Sequence, residues 1–241
     1  MTSVLVDNRI SDACERGLMR LGFSPLRLPP SPALPAAIAS HPDTLFAKIG
    51  NELITSADYF ETAPYVFSEL REKHPSLKLS FTSDTFGKKY PSDCPFNSFT
   101  LRGKLYARGG SISENVLRAA SEQGILHIDV KQGYAACTTL RFESSEGAYA
   151  ITADKGMARL LRQNGALVTE IENGGISLPP YEYGFIGGAC GVRENKIYFL
   201  GDIYKHPSAE KIVGAITDAG FEAISLSDEA LFDGGGLIFI D

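Results

Sequence analysis

The sequence predicts an α/β (α+β) chain in which one unit is written five times: a hairpin, then a helix, then a strand. The first unit is closed by both ends of the chain. Three observations carry this. A polar cap, an amphipathic helix, a glycine stop and a short apolar strand recur in that order. Turn residues join a pair of short apolar runs before each helix, which is a hairpin signal. One helix has only a single run before it, and a matching run stands at the other end of the sequence.

In chain order, SVLVDN precedes a helix over 11–21 that stops at Gly22 and leads into FSPLRLPP. HPDTLFAKIG turns into NELITS at Gly50 and Asn51, followed by a helix over 62–74 that ends at Pro75 rather than at a glycine. NSFTLRG turns into KLYARG, then a helix over 111–123 stops at Gly124. CTTLRFESSEG turns into AYAITA, then a helix over 154–164 stops at Gly165. GACGVREN turns into KIYFLGD, then a helix over 208–219 stops at Gly220. GGGLIFID is the missing partner of SVLVDN. Ser and Asp at the helix starts accept bonds from free N–H groups. Ser111 and Glu114 have the spacing of a capping box, and the closing glycines suit a left-handed helix end. A doubly wound sheet would alternate single strands with helices, and these hairpins argue against it.

Composition narrows the function. The 241 residues are 44% hydrophobic and 22% charged, which suits one soluble globular domain over 1–241. A net charge of −6 argues against nucleic acid as a partner, because a phosphate backbone needs a basic face. No apolar run reaches the ~20 residues of a membrane span. The N-terminal MTSVLVDNRI lacks the pattern of a signal peptide, so a cytoplasmic location is expected. Cys14, Cys94, Cys137 and Cys190 lie far apart with no CxxC pair. That argues against a disulfide framework and a zinc knuckle. His41, Asp43 and two thiols could bind zinc, but no ligand spacing supports it, and no metal or cofactor is expected.

HPDTLFAKIGN resembles the opening of an early unit of the penteins, and YGFIGGACGV resembles the glycine-rich approach to their last unit. KQGYAAC, ITADKGMA and YGFIGGACG resemble an uncharacterised family grouped with the same fold. The resemblance implies a pentein α/β propeller, five ββαβ units about a pseudo-fivefold axis. Penteins include arginine and agmatine deiminases, dimethylarginine hydrolases and amidinotransferases. The resemblance implies a catalytic role for Cys190. It departs in the fourth unit, where penteins carry His-x-Asp or His-x-Glu. There this chain reads QGYAACTTL with no histidine, and a His-x-Asp stands instead at His41-Pro42-Asp43 in the second unit.

Aligning the five units brings Asp43, Cys137 and Cys190 into register, with Asn97 and Asp233 as weaker equivalents. Attack on a guanidinium carbon needs a nucleophile, a carboxylate to hold the planar N–H fork and a proton shuttle. A thiolate forms where a positive charge is near, and histidine titrates near working pH. Cys190 is therefore assigned as nucleophile, Asp43 as the substrate-holding carboxylate and His41 as acid/base, with Cys137 the rival nucleophile. Residues 41 and 43 would share one side if they lie on a strand. Lys131, Gln132 and Tyr134 stand just upstream of Cys137 as substrate-binding candidates. Asp7 and Arg9 follow the first strand, where turn chemistry is the other reading. Residues 82–97 form a long loop that serves either as a lid, through Lys88, Lys89 and Tyr90, or as a surface excursion. Two functions follow: chemistry on the C–N bond of a small guanidino or amino-acid-like molecule, or a pentein fold used for binding without chemistry. On the second view Cys190 and its glycines are packing.

Overall fold

Hairpins form where the backbone can enter the left-handed region. Arg102 and Gly103 both do so, with φ of 52° and 65°, as a two-residue turn between twisted strands requires. Gly50 does the same at φ 56°. The computed structural model describes residues 1–241 and is a mixed α/β structure with several small sheets.

Five of the sheets have three strands in a common arrangement. Each has a central strand paired antiparallel to one neighbour and parallel to the other. The first joins Ile238–Ile240, Ser3–Asp7 and Ser24–Leu28. Ser3 lies opposite Ile240, so the two ends of the chain do share a sheet. The second joins Ala47–Ile49, Glu52–Ser56 and Lys78–Thr82. The third joins Phe99–Leu101, Lys104–Ala107 and Leu126–Asp129. The fourth joins Thr139–Ser144, Gly147–Thr152 and Leu167–Glu170. The fifth joins Cys190–Arg193, Lys196–Phe199 and Glu222–Ser225. A short parallel ladder of Ile176–Ser177 with Leu231–Phe232 adds a sixth sheet that the hairpin pattern did not signal.

Each parallel crossover carries helix. Asp12–Arg20 begins at Ser11, whose side chain accepts from the Cys14 N–H. Lys155–Gln163 begins at Asp154, which accepts from the Met157 N–H. Ala209–Asp218 follows Ser208, whose side chain makes no cap bond. Two boundaries differ from expectation. Glu114–Glu122 is capped by Ser113 rather than Ser111, because the Ser113 hydroxyl reaches the Asn115 N–H. The expected single helix over 62–74 is two, Ala57–Thr62 and Pro64–Lys73. Proline lacks the N–H to continue a helix but suits the first turn of a new one. The core lies between sheets and helices. In the second unit, Phe46, Tyr59 and Phe67 meet with ring centroids 5.7 to 6.3 Å apart, a favourable aromatic spacing. No helix is long and apolar enough to cross a membrane.

Candidate functional site

One strand of each three-stranded sheet contributes to a shared cavity of about 460 Å³: residues 48, 99–101, 140–143, 190–192 and 238–239. The segments leading into these strands converge, and they carry the chemistry.

His41-Pro42-Asp43 is not part of a strand. Pro42–Leu45 is a short helix with His41 at its N-cap and Pro42 in its first turn, so the expected strand alternation of 41 and 43 is corrected. Proline's fixed φ suits that first turn. The two side chains take different neighbours yet stay close. Ala135–Thr138 forms a second short helix just before the fourth sheet and carries Cys137.

Cys137 is held by side chains. Its thiol donates to Asp43 Oδ2 at 2.8 Å, and Asn97 Nδ2 donates to Cys137 Sγ at 3.3 Å. Asn97 Oδ1 accepts from the Ala136 N–H at 2.8 Å, fixing the short helix beside the thiol. Thr44 Oγ1 donates to Asp43 Oδ1 at 3.3 Å. His41 is 1% exposed, and neither ring nitrogen has a hydrogen-bond partner. Its Nε2 lies 3.7 Å from Asp7 Oδ2 and 4.0 Å from Asp233 Oδ1. One ligand atom each from His41, Asp43 and Cys137 lie within 4.8 Å of one another. Such a nitrogen, oxygen and sulfur set is of the kind zinc takes, and no ligand spacing in the sequence announces it.

Burial governs the proton affinities. It raises Asp43 to about 7, against the opposing bond from Cys137. It pushes the Cys137 thiol well above its usual range, and the neighbouring Asp43 carboxylate adds to that. It lowers His41, with Asp233 and Asp7 pulling the other way, and raises Asp233. The cluster therefore rests with a protonated thiol and a neutral imidazole, and Asp43 is poised between its two forms at neutral pH.

Cys190 is placed differently. It is the first residue of its strand and lines the cavity with Asp43 and Arg141. Its thiol donates to the Ile186 carbonyl at 3.2 Å. Burial raises it to about 12 despite the nearby Arg141 charge. The glycines of GFIGGACGV have a packing reason. A Cβ on Gly187 would stand 2.2 Å from the Ala136 carbonyl oxygen and 2.8 Å from that of Cys137. A Cβ on Gly188 would stand 2.0 Å from Asp233 Oδ1. The segment lies backbone against backbone on the Cys137 turn, and the Gly188 N–H donates to the Cys137 carbonyl at 2.9 Å.

A family model described as a family of unknown function (DUF6873) matches residues 5–238. The chain belongs to that family. No curated protein matches the sequence. Among solved structures, the chain is similar to dimethylarginine dimethylaminohydrolase from Pseudomonas aeruginosa complexed with citrulline. The identity is 8% and the TM-score 0.55, over 94% of this chain and 92% of that one. It is similar to SxtG, an amidinotransferase from Microseira wollei in the saxitoxin biosynthetic pathway, at 13% identity and TM-score 0.53, over 93% and 88%. It is also similar to the product-bound N-terminal domain of ArgZ, an arginine dihydrolase from cyanobacteria, at 10% identity and TM-score 0.52, over 95% and 90%. This family member thus has the pentein fold.

The remaining sequence candidates divide. Asn97 and Asp233 reach the convergence, but each is bonded inward. Asp233 accepts from the Phe185 N–H at 2.8 Å and the Gly235 N–H at 3.1 Å. Asp7 is fully buried and binds Arg9 through both its Nε and Nη2, at 2.9 and 2.7 Å. Arg9 Nη2 also donates to the Ala37 carbonyl at 2.6 Å, tying down the segment before His41. Lys131 is exposed, Gln132 bonds Asp154 at 3.2 Å, and Tyr134 donates to Asp93 at 2.6 Å. The cluster's hydrogen bonds include none of these three. Lys88 and Lys89 are exposed, and Tyr90 bonds Arg108 and the Gly133 N–H. Sequence reasoning missed Arg141. Its signal was a basic residue inside the apolar run CTTLRF.

Proposed function

We propose that this chain is a single pentein-like domain over 1–241 that cleaves or transfers across the C–N bond of a small guanidino or amidino compound, through a thiolate. The five strands that line one cavity, each from a sheet of the same arrangement, support a closed propeller with pseudo-fivefold symmetry. The observation that carries the chemistry is the Cys137 thiol 2.8 Å from Asp43, beside the unpartnered ring of His41. The fold neighbours, a dimethylaminohydrolase, an amidinotransferase and an arginine dihydrolase, agree with that reaction class.

The resting cluster opposes a thiolate, because an anion beside Asp43 is repelled. A bound amidinium supplies the missing positive charge. Asp43 holds its N–H fork and takes the thiol proton, which passes to His41. Cys137 Sγ attacks the central carbon, and the C–N bond to the departing amine breaks as His41 protonates that nitrogen. Water, or an acceptor amine in a transferase, then gives its proton to His41 and attacks the same carbon. The C–S bond breaks and the sulfur leaves as thiolate, which recovers its proton from His41. On this reading Cys137 is the nucleophile rather than Cys190. Asn97 is a positioning residue.

The test is covalent trapping. Incubation with 2-chloroacetamidine, followed by intact mass and peptide mapping, is expected to give one adduct, at Cys137, that guanidine slows. Adducts spread over the four cysteines, unaffected by guanidine, would overturn the assignment. One observation favours binding without chemistry: His41 and Cys137 are only 1% and 3% exposed. On that reading no cysteine shows preference for the cationic reagent.

A further inference from the structure

The shared cavity holds a cation with most of its hydrogen-bonding capacity unused. Arg141 lies in the fourth-sheet strand Thr139–Ser144 and lines the cavity. Its guanidinium makes two long bonds, both from Nη1, to the carbonyls of Ala136 at 3.4 Å and Thr139 at 3.3 Å. It also lies over the Phe99 ring, 5.3 Å from the centroid. No carboxylate pairs with it within ion-pair distance, and Nε and Nη2 donate to no protein group. Of the cavity's carboxyls, Asp43 is bonded to Cys137, and Glu143 accepts from the Arg102 N–H at 2.6 Å. A second cation, Lys48, lines the same cavity and donates only to the Gly50 carbonyl, at 3.2 Å.

A half-buried guanidinium without a counter-ion is costly unless something else satisfies it. Its free Nε and Nη2 edge is a planar two-donor fork, which matches a carboxylate bidentately. The mixed lining also includes the apolar side chains of Leu101, Val192 and Ile238, which could take an apolar body. A cavity of about 460 Å³ lies within the usual range of small-molecule sites.

We propose that this cavity is a binding site for a small monocarboxylate with an apolar body, whose carboxylate sits on the Nε and Nη2 edge of Arg141 and whose body lies against Val192 and Ile238. The site goes beyond the thiol chemistry and does not rest on it. Arg141 makes its contacts to backbone carbonyls and Phe99, whereas the thiol cluster is bonded through Asp43 and Asn97. The two readings ask for ligands of opposite charge, so they can fail separately.

The experiment titrates benzoate into the full chain and follows the arginine Nε–H signals by NMR, with calorimetry for affinity. Inorganic phosphate and benzamidine are run in parallel. The expected result is saturable benzoate binding that shifts one arginine Nε–H, with phosphate at least about tenfold weaker. Arg141→Gln should weaken benzoate at least about tenfold, and Arg141→Lys, which keeps the charge but loses the fork, should fall between. The Nε–H readout in the unaltered chain stands even if the variants fold poorly. No saturable binding, phosphate tighter than benzoate, or undiminished binding in a folded Arg141→Gln chain would each overturn the proposal. Benzamidine binding alone, without benzoate, would overturn it while supporting the amidine reading.

Discussion

Cys137 and Cys190 stand at the entries to two cavity-lining strands, and their surroundings are opposite. Cys137 lies in the short helix before its strand, and Cys190 is the first residue of its own. Cys137 is gripped by side chains, Asp43 and Asn97, and lies beside His41. Cys190 bonds a backbone carbonyl and opens on a cavity that holds Arg141. The difference comes from the segments leading in. A four-residue helix turns Cys137 inward. A glycine-rich turn lets the 184–189 backbone press against that helix and against Asp233. In this chain the glycines belong to the packing of one cysteine's approach segment, and the cluster of Asp43, Asn97 and His41 surrounds the other.

The comparison breaks first at the sulfurs. Cys137→Ala should abolish amidine labelling, a loss of at least about 100-fold, while Cys190→Ala should leave the rate within about threefold. Competition labelling with mass readout checks both. The next effect tests the packing role. Gly187→Ala should cost about 3 kcal/mol in urea unfolding, because three carbonyl oxygens stand within 2.8 Å of the new Cβ and backbone cannot swing aside. A change under ~1 kcal/mol would mean the segment relaxes freely.

A third effect concerns pH. Burial raises Asp43 from 3.8 to about 7, so the folded state holds this proton more tightly than the unfolded chain. Unfolding then releases the proton between those values, and stability falls as pH rises through that window. The contribution is fully present below the ordinary carboxylate range and lost above about 7. Asp43→Asn should flatten that part of the stability profile relative to the unaltered chain. An identical slope in both would contradict the burial argument. The smallest effect is a control. Gly214, inside the helix Ala209–Asp218, has open space around its would-be Cβ. Gly214→Ala should stabilise by about 0.5–1 kcal/mol, opposite in sign to Gly187→Ala.

The repeat was legible because it is written in local signals. Gly22, Gly124, Gly165 and Gly220 follow the helices as expected and take φ between 71° and 88°. GGGLIFID pairs with SVLVDN because only a matching apolar run could complete that sheet. The pairing of side chains at the convergence was only half legible. Register alignment put Asp43, Asn97 and Cys137 at equivalent places, and they do touch. It could not say that Pro42 starts a helical turn, which decides where His41 and Asp43 point. Nor could it say that Asp7 would spend its oxygens on Arg9, or that Tyr134 would turn to Asp93. Those outcomes depend on loops meeting across the fold. Arg141 was hidden for a related reason, since nothing in CTTLRF tells which face of its strand meets the cavity.

The most direct measurement is the alkylation rate of Cys137 against pH in the Cys190→Ala chain, with neutral iodoacetamide beside 2-chloroacetamidine. The raised thiol should make iodoacetamide slow until strongly alkaline pH. The amidine should react faster and saturably near neutral pH, since its own charge stabilises the thiolate between Asp43 and His41. Equal rates and a common pH profile for the two reagents would contradict a cation-activated thiol at Cys137.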